Sequence, residues 1–104
     1  MIIYEVNCLV EQTVVSEFST WLSEHVAEIT ALDGFIRSEI LSLLEDDYLS
    51  EQGQDTVGFS IRYQLTDQTA LGHYLKHHAP AFRQDGLDRF GGNFTAYRRV
   101  LSID

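Results

Sequence analysis

The side chains in this sequence that could move a proton near neutral pH are its four histidines, supported by five tyrosines. A histidine changes charge around neutrality, and a tyrosine carries a hydroxyl at the tip of an apolar ring. Three of the histidines, the only proline and the aromatic series Tyr74, Phe82 and Phe90 crowd into Gly72–Gly92, GHYLKHHAPAFRQDGLDRFGG. His25 and His78 are the candidates for an acid or base. Tyr4, Tyr63 and Tyr74 are candidate hydrogen-bond partners, with Trp21 as a wall one helical turn from His25 and Arg83 as a charged tip. Aromatic walls with a few convergent polar tips are what a small-molecule site looks like. The plainer reading of the same residues is packing, with tyrosine hydroxyls reaching water or backbone at a core edge and a histidine hydrogen-bonded in the core.

Other chemistry is thinner. His73 and His77 are spaced to share a helix face and could grip a metal, but a third and fourth ligand have no claimant and the glutamate of an H-E-x-x-H motif is missing. No metal is expected. No nucleophile elbow, phosphate-binding glycine loop, Walker motif or paired-carboxylate motif is present, and no cofactor is expected. A net charge of −9 argues against nucleic acid and anionic membrane as partners, since both need a clustered basic footprint. Residues 1–104 are the length of one small domain, and 44% hydrophobic with 22% charged content is that of a globular chain. No apolar run approaches a membrane span, and the start MIIYEVNCLVEQ lacks the basic opening and cleavage site of a signal peptide. A lone Cys8 cannot close an intrachain disulfide, which fits a cytoplasmic protein.

Four strands and two helical segments must position these residues. Residues 2–10 alternate, with Ile2, Tyr4, Val6, Cys8 and Val10 on one face and Ile3, Glu5, Asn7 and Leu9 on the other. A helix follows, capped by Thr13, with Val15, Phe18, Leu22, Val26 and Ile29 as its apolar stripe. It ends near Ala31, ahead of the Asp33-Gly34 turn. Residues 35–46 read as a second strand, with Phe35, Arg37, Glu39, Leu41 and Leu43 on one face, and acidic Glu45–Gln54 as a hairpin loop. The third strand is 56–65. A helix then starts after Thr66-Asp67, bends near His78–Pro80 and runs on to about Phe90, before Gly91-Gly92 and a last strand over 93–101.

The order β-α-β-β-α-β predicts an α+β fold, a ferredoxin-like sandwich whose four-stranded antiparallel sheet has order 4-1-3-2 and both helices on one face. In that topology Tyr4 and Tyr63 become cross-strand neighbours on the helix side, and His25 and Tyr74 arrive at the same end. The phase of the last strand stays open. Arg98 inward, near Tyr4, would favour an anionic ligand; the preferred alternative is an edge residue whose stem covers apolar surface. Trp21 reads as core or pocket wall. The opposite sheet face carries Ile3, Leu9, Phe35, Leu41 and Leu43 among Glu5, Arg37, Glu39 and Arg62, and predicts a homodimer built on that face.

The start MIIYEV, the Trp21–His25 pair, Gly34-Phe35, the run Tyr74…His78-Ala79-Pro80-Ala81-Phe82-Arg83 and the ending Phe90…Tyr97-Arg98-Arg99-Val100-Leu101 resemble a family of short bacterial proteins known only as a domain of unknown function. The resemblance covers nearly the whole chain. That family is in turn similar to the dimeric α/β-barrel superfamily, which includes antibiotic-biosynthesis-type monooxygenases without cofactors, haem-degrading enzymes, muconolactone-isomerase-like proteins and stress-response proteins. The resemblance implies a homodimer with ligands held between helices and sheet. A small-molecule-binding protein is thus the first expectation. The alternatives are a cofactor-free monooxygenase or isomerase acting on a small aromatic or enolisable compound, and a non-catalytic interaction module. An RNA-binding domain of this topology is disfavoured, because Ile3, Glu5, Asn7, Gly58, Ser60 and Arg62 supply no stacking aromatic on the open sheet face.

Overall fold

The twofold alternation of the N-terminal segment becomes β1 (Ile2–Glu11) at the heart of the sheet. The computed structural model describes residues 1–52 and 55–103. A 3-10 turn over Gln12–Val14 leads into α1 (Val15–Thr30), and β2 (Phe35–Leu43) follows. Next come a short α2 (Asp47–Gln52), β3 (Thr56–Leu65), α3 (Gln68–His77), α4 (Ala79–Phe90) and β4 (Phe94–Ser102). The sheet order is β2-β3-β1-β4, all pairs antiparallel, which is the expected ferredoxin-like order. Among the described residues, no helix is long and apolar enough to cross a membrane.

The core lies between the sheet and α1, α3 and α4. Phe18, Leu22, Val26 and Ile29 of α1 are buried against Ile2, Tyr4, Cys8 and Val10 of β1, as their spacing requires. Asp67 caps α3 by accepting from the Ala70 amide at 2.8 Å. Pro80 sits in the first turn of α4, where its missing N–H removes no helical bond, so the helix breaks at His78 as expected.

Several details differ from the sequence-based expectation. Thr13 is not a helix cap; it lies inside the 3-10 turn, and α1 starts without a side-chain cap. The second strand stops at Leu43, and the expected loop contains α2; Gly53 and Gln54 of that loop lie outside the described residues. The element is not on the helix face. Tyr48 of α2 packs on Tyr97 with ring centroids 4.9 Å apart, and the Tyr97 hydroxyl donates to Asp46, so the segment folds over one end of the opposite sheet face. Phe35 also changes sides. A bulge between Phe35 and Arg37 pairs Phe35 with Leu65 and Arg37 with Gln64. The extra residue inverts the alternation, so Phe35 meets Tyr63 and Tyr74 on the helix side.

Candidate functional site

The end of the sheet where β1 begins and β3 finishes carries Tyr4 directly opposite Tyr63. Their rings stack at 5.9 Å, and Tyr74 from α3 tilts onto Tyr4 at 6.1 Å. From α1, Trp21 and His25 reach in one turn apart and stack on each other at 4.4 Å. Phe82 of α4 sets its edge on His25 at 5.1 Å. These residues line a cavity of about 540 Å³ between helices and sheet, within the ~300–1,000 Å³ of ordinary ligand pockets. Arg83, Phe94, Ala96 and Arg98 also line it, with both arginines exposed to solvent.

Of the expected site residues, the fold brings Tyr4, Trp21, His25, Tyr63, Tyr74 and Arg83 to this one cavity. His78 is not among its lining. It falls between α3 and α4, stacked against Tyr74 at 6.4 Å and next to His73 at 5.9 Å, because the helix breaks before the stripe reaches it. The phase of the last strand is settled. Phe94 packs on Phe18 and Phe90, and Arg98 reaches the Tyr4 hydroxyl at 3.5 Å, so Arg98 is on the cavity side. Tyr97 and Arg99 face the other way.

The electrostatics favour a protonated phenol wall and a neutral imidazole. Burial pushes the Tyr63 and Tyr74 hydroxyls well above their ordinary value, with the charges of Arg83 and Arg98 opposing it only for Tyr74. The Cys8 thiol, also lining the cavity, is pushed up to about 12 by burial and stays protonated. Burial lowers His25 below its usual 6.5, and the nearby Asp85 carboxylate offsets part of that. Asp85 accepts from the Trp21 indole at 2.9 Å and pairs with Arg89 at 3.0 Å. Among the described residues His25 has no hydrogen-bond partner, so its ring nitrogens are available to a ligand.

Sequence reasoning missed Asp85 and Gly86. Asp85 anchors Trp21, and a Cβ on Gly86 would lie 3.2 Å from the Trp21 ring and 3.3 Å from Phe94. The signal was present, since a glycine inside a helix costs about 1 kcal/mol against alanine and marks close packing.

His73 and His77 on α3 do not line this cavity. The rings of His73 and His77 are 4.4 Å apart, but no group of three or more His, Cys, Asp or Glu among the described residues could hold a metal. On the opposite sheet face, Glu5 sits beneath Arg62 and Arg99, its cross-strand neighbours, at 3.2 and 2.7 Å. Burial raises the Glu5 carboxyl, but hydrogen bonds from Asn7 and Arg99 and the two arginine charges outweigh it and hold the group below its ordinary value.

The family model of a domain of unknown function, DUF4286, matches residues 1–103. No curated protein matches the chain. Among solved structures, a protein of Deinococcus radiodurans assigned as an antibiotic biosynthesis monooxygenase superposes with a TM-score of 0.73 at 15% identity, over 100% of this chain and 93% of that one. A variant of SnoaB, a cofactor-independent oxygenase from Streptomyces nogalater, gives 0.65 at 19% identity, over 98% and 92%. A dimeric ferredoxin-like protein from an uncultured marine organism gives 0.65 at 12% identity, over 99% and 94%. At these identities the likeness is one of fold.

Proposed function

We propose that this chain, which belongs to the DUF4286 family, binds a compact, partly aromatic small molecule between its helices and sheet, and that His25 takes a proton from it. The observation that carries the reading is a 540 Å³ cavity, aromatic on its walls and lined by a histidine whose pKa burial lowers and whose nitrogens have no hydrogen-bond partner among the described residues. A neutral imidazole held against a bound carbon acid or phenol is placed to act as a general base. Crystals soaked in a mixture of small aromatic compounds are expected to show density between Tyr63 and His25. A filled interior without ligand would favour the interaction module instead. Deuterium exchange into a bound enolisable compound, followed by NMR, is expected to slow ~100-fold or more in His25→Ala. The exchange rate should rise with pH and level off around a midpoint below 6.5, because the base acts only when unprotonated and burial lowers its pKa.

A second reading makes the chain a cofactor-free monooxygenase. Fold likeness to a cofactor-independent oxygenase favours it. Here the carbanion left by proton loss to His25 would give its electrons to dioxygen as co-substrate, and the hydroperoxide so formed would lose water to leave a new carbonyl. An isomerase would instead return the proton to a different carbon. Oxygen uptake with a bound enolisable compound separates the two.

A homodimer on the open sheet face belongs to the same proposal, and a dimeric relative in fold supports it. The apolar patch differs from the expected one. Phe35 has left the face and Leu9 is already buried within the protomer, while Leu41 at 37% and Leu101 at 38% exposure remain available. Light scattering at micromolar concentration should report about twice the 11.9 kDa chain mass, and Leu41→Asp should return it to a monomer. A wild-type monomer there would refute the dimer.

A further inference from the structure

The geometry points to an aromatic anion as the ligand class of the cavity, its oxyanion held at the mouth by Arg83 and Arg98 and its ring between Trp21 and the tyrosines. The inference rests on the small-molecule reading above and narrows it. The chain has seven Lys and Arg against sixteen Asp and Glu, so carboxylate partners are plentiful. Arg62 and Arg99 pair with Glu5, Arg89 pairs with Asp85, and Arg37 donates to Gln64 at 2.8 Å. Arg83 and Arg98 are in no ion pair among the described residues, and both line the cavity.

Their placement has identifiable causes. Arg98 is brought to the cavity side by the same strand phase that buries Phe94, and its guanidinium donates to the Tyr4 hydroxyl. Arg83 follows Phe82 on α4, past the bend that Pro80 permits. The two come from different elements yet line the same cavity as Tyr4 and Tyr74, so both charges face one volume. Guanidinium forks match a carboxylate or similar planar oxyanion, and phenol hydroxyls of Tyr4 and Tyr74 can add donors beside them. A chain of net charge −9 repels anions at long range, so only a local cationic pair could select one. The ligand's ring then lies deeper, toward His25, and its oxyanion at the rim.

The probes are 2-naphthoate and its neutral isostere 2-naphthamide, titrated into the intact protein. Trp21 is the only tryptophan, so its single indole N–H resonance reports this cavity alone. Both guanidiniums are exposed, and together they should favour naphthoate about tenfold. In Arg83→Ala/Arg98→Ala that preference should vanish, with the spectrum elsewhere unchanged. Equal affinities in the wild type, or a preference that survives the double variant, would overturn the anion assignment and leave the cavity reading standing. Binding of neither probe would overturn both.

Discussion

Phe18→Ala is expected to lower stability by about 3–5 kcal/mol, the cost of emptying an aromatic site in a core that cannot collapse around it. Phe18 has no exposure, and its ring meets Trp21, Phe59, Phe90 and Phe94 at centroid distances of 5.5, 5.9, 5.1 and 5.4 Å. These partners come from α1, β3, α4 and β4, so alanine would loosen the joint between the layers as well as remove buried surface. Small domains are stable by only ~5–15 kcal/mol, so much of the margin would go. Chemical denaturation with fluorescence detection measures it. A loss under ~1.5 kcal/mol would mean that the surrounding rings close over the gap, contrary to their dense mutual contact.

Gly34→Val should be comparably damaging, for a backbone reason. Gly34 has φ of 88°, a region that costs a side-chain-bearing residue about 1–2 kcal/mol, and more when β-branched. A Cβ there would also stand 2.6 Å from the Cβ of Ala70 on α3. The turn cannot shift freely, because the Gly34 carbonyl accepts from the Thr66 amide at 3.0 Å. We expect a loss of about 3 kcal/mol or more in denaturant titrations. The two causes are separable. Ala70→Gly in the same chain should recover the part due to the clash and leave the part due to φ. Full recovery, or none, would show that only one cause operates. The turn bears on the site because Phe35, the next residue, packs on Tyr63 and Tyr74.

Much of this arrangement was legible in the sequence. β1 and β3 alternate without interruption, which fixes Tyr4 and Tyr63 on one face, and α1 repeats at three and four, which places His25 beside Trp21. The illegible parts have physical reasons. The bulge after Phe35 leaves no mark in FIRSEILSL, because each residue suits a strand in either phase. The helix DYLSEQ is too short to hold by propensity, and the contact of Tyr48 with Tyr97 that supports it is remote in sequence. His78 obeys the helical spacing of Leu71 and Tyr74, yet Pro80 ends that helix just before it. The inward phase of Arg98 could only be decided by Phe94 docking on Phe18.

The central place of β1 also sets the order in which the molecule can be completed during synthesis. Its two neighbours are β3 and β4, and the β4 edge is filled by residues 94–102. A nascent chain that has emerged only through α4 has one side of its first strand without a ladder partner. That open edge, flanked by Tyr4, Cys8 and Val10, is the kind of template that recruits strands from neighbouring chains. The cavity wall contributed by Phe94, Ala96 and Arg98 is missing over the same interval. Docking of residues 94–102 therefore closes the sheet and finishes the pocket in a single event, and a folding intermediate that lacks it keeps that strand edge open to neighbouring chains.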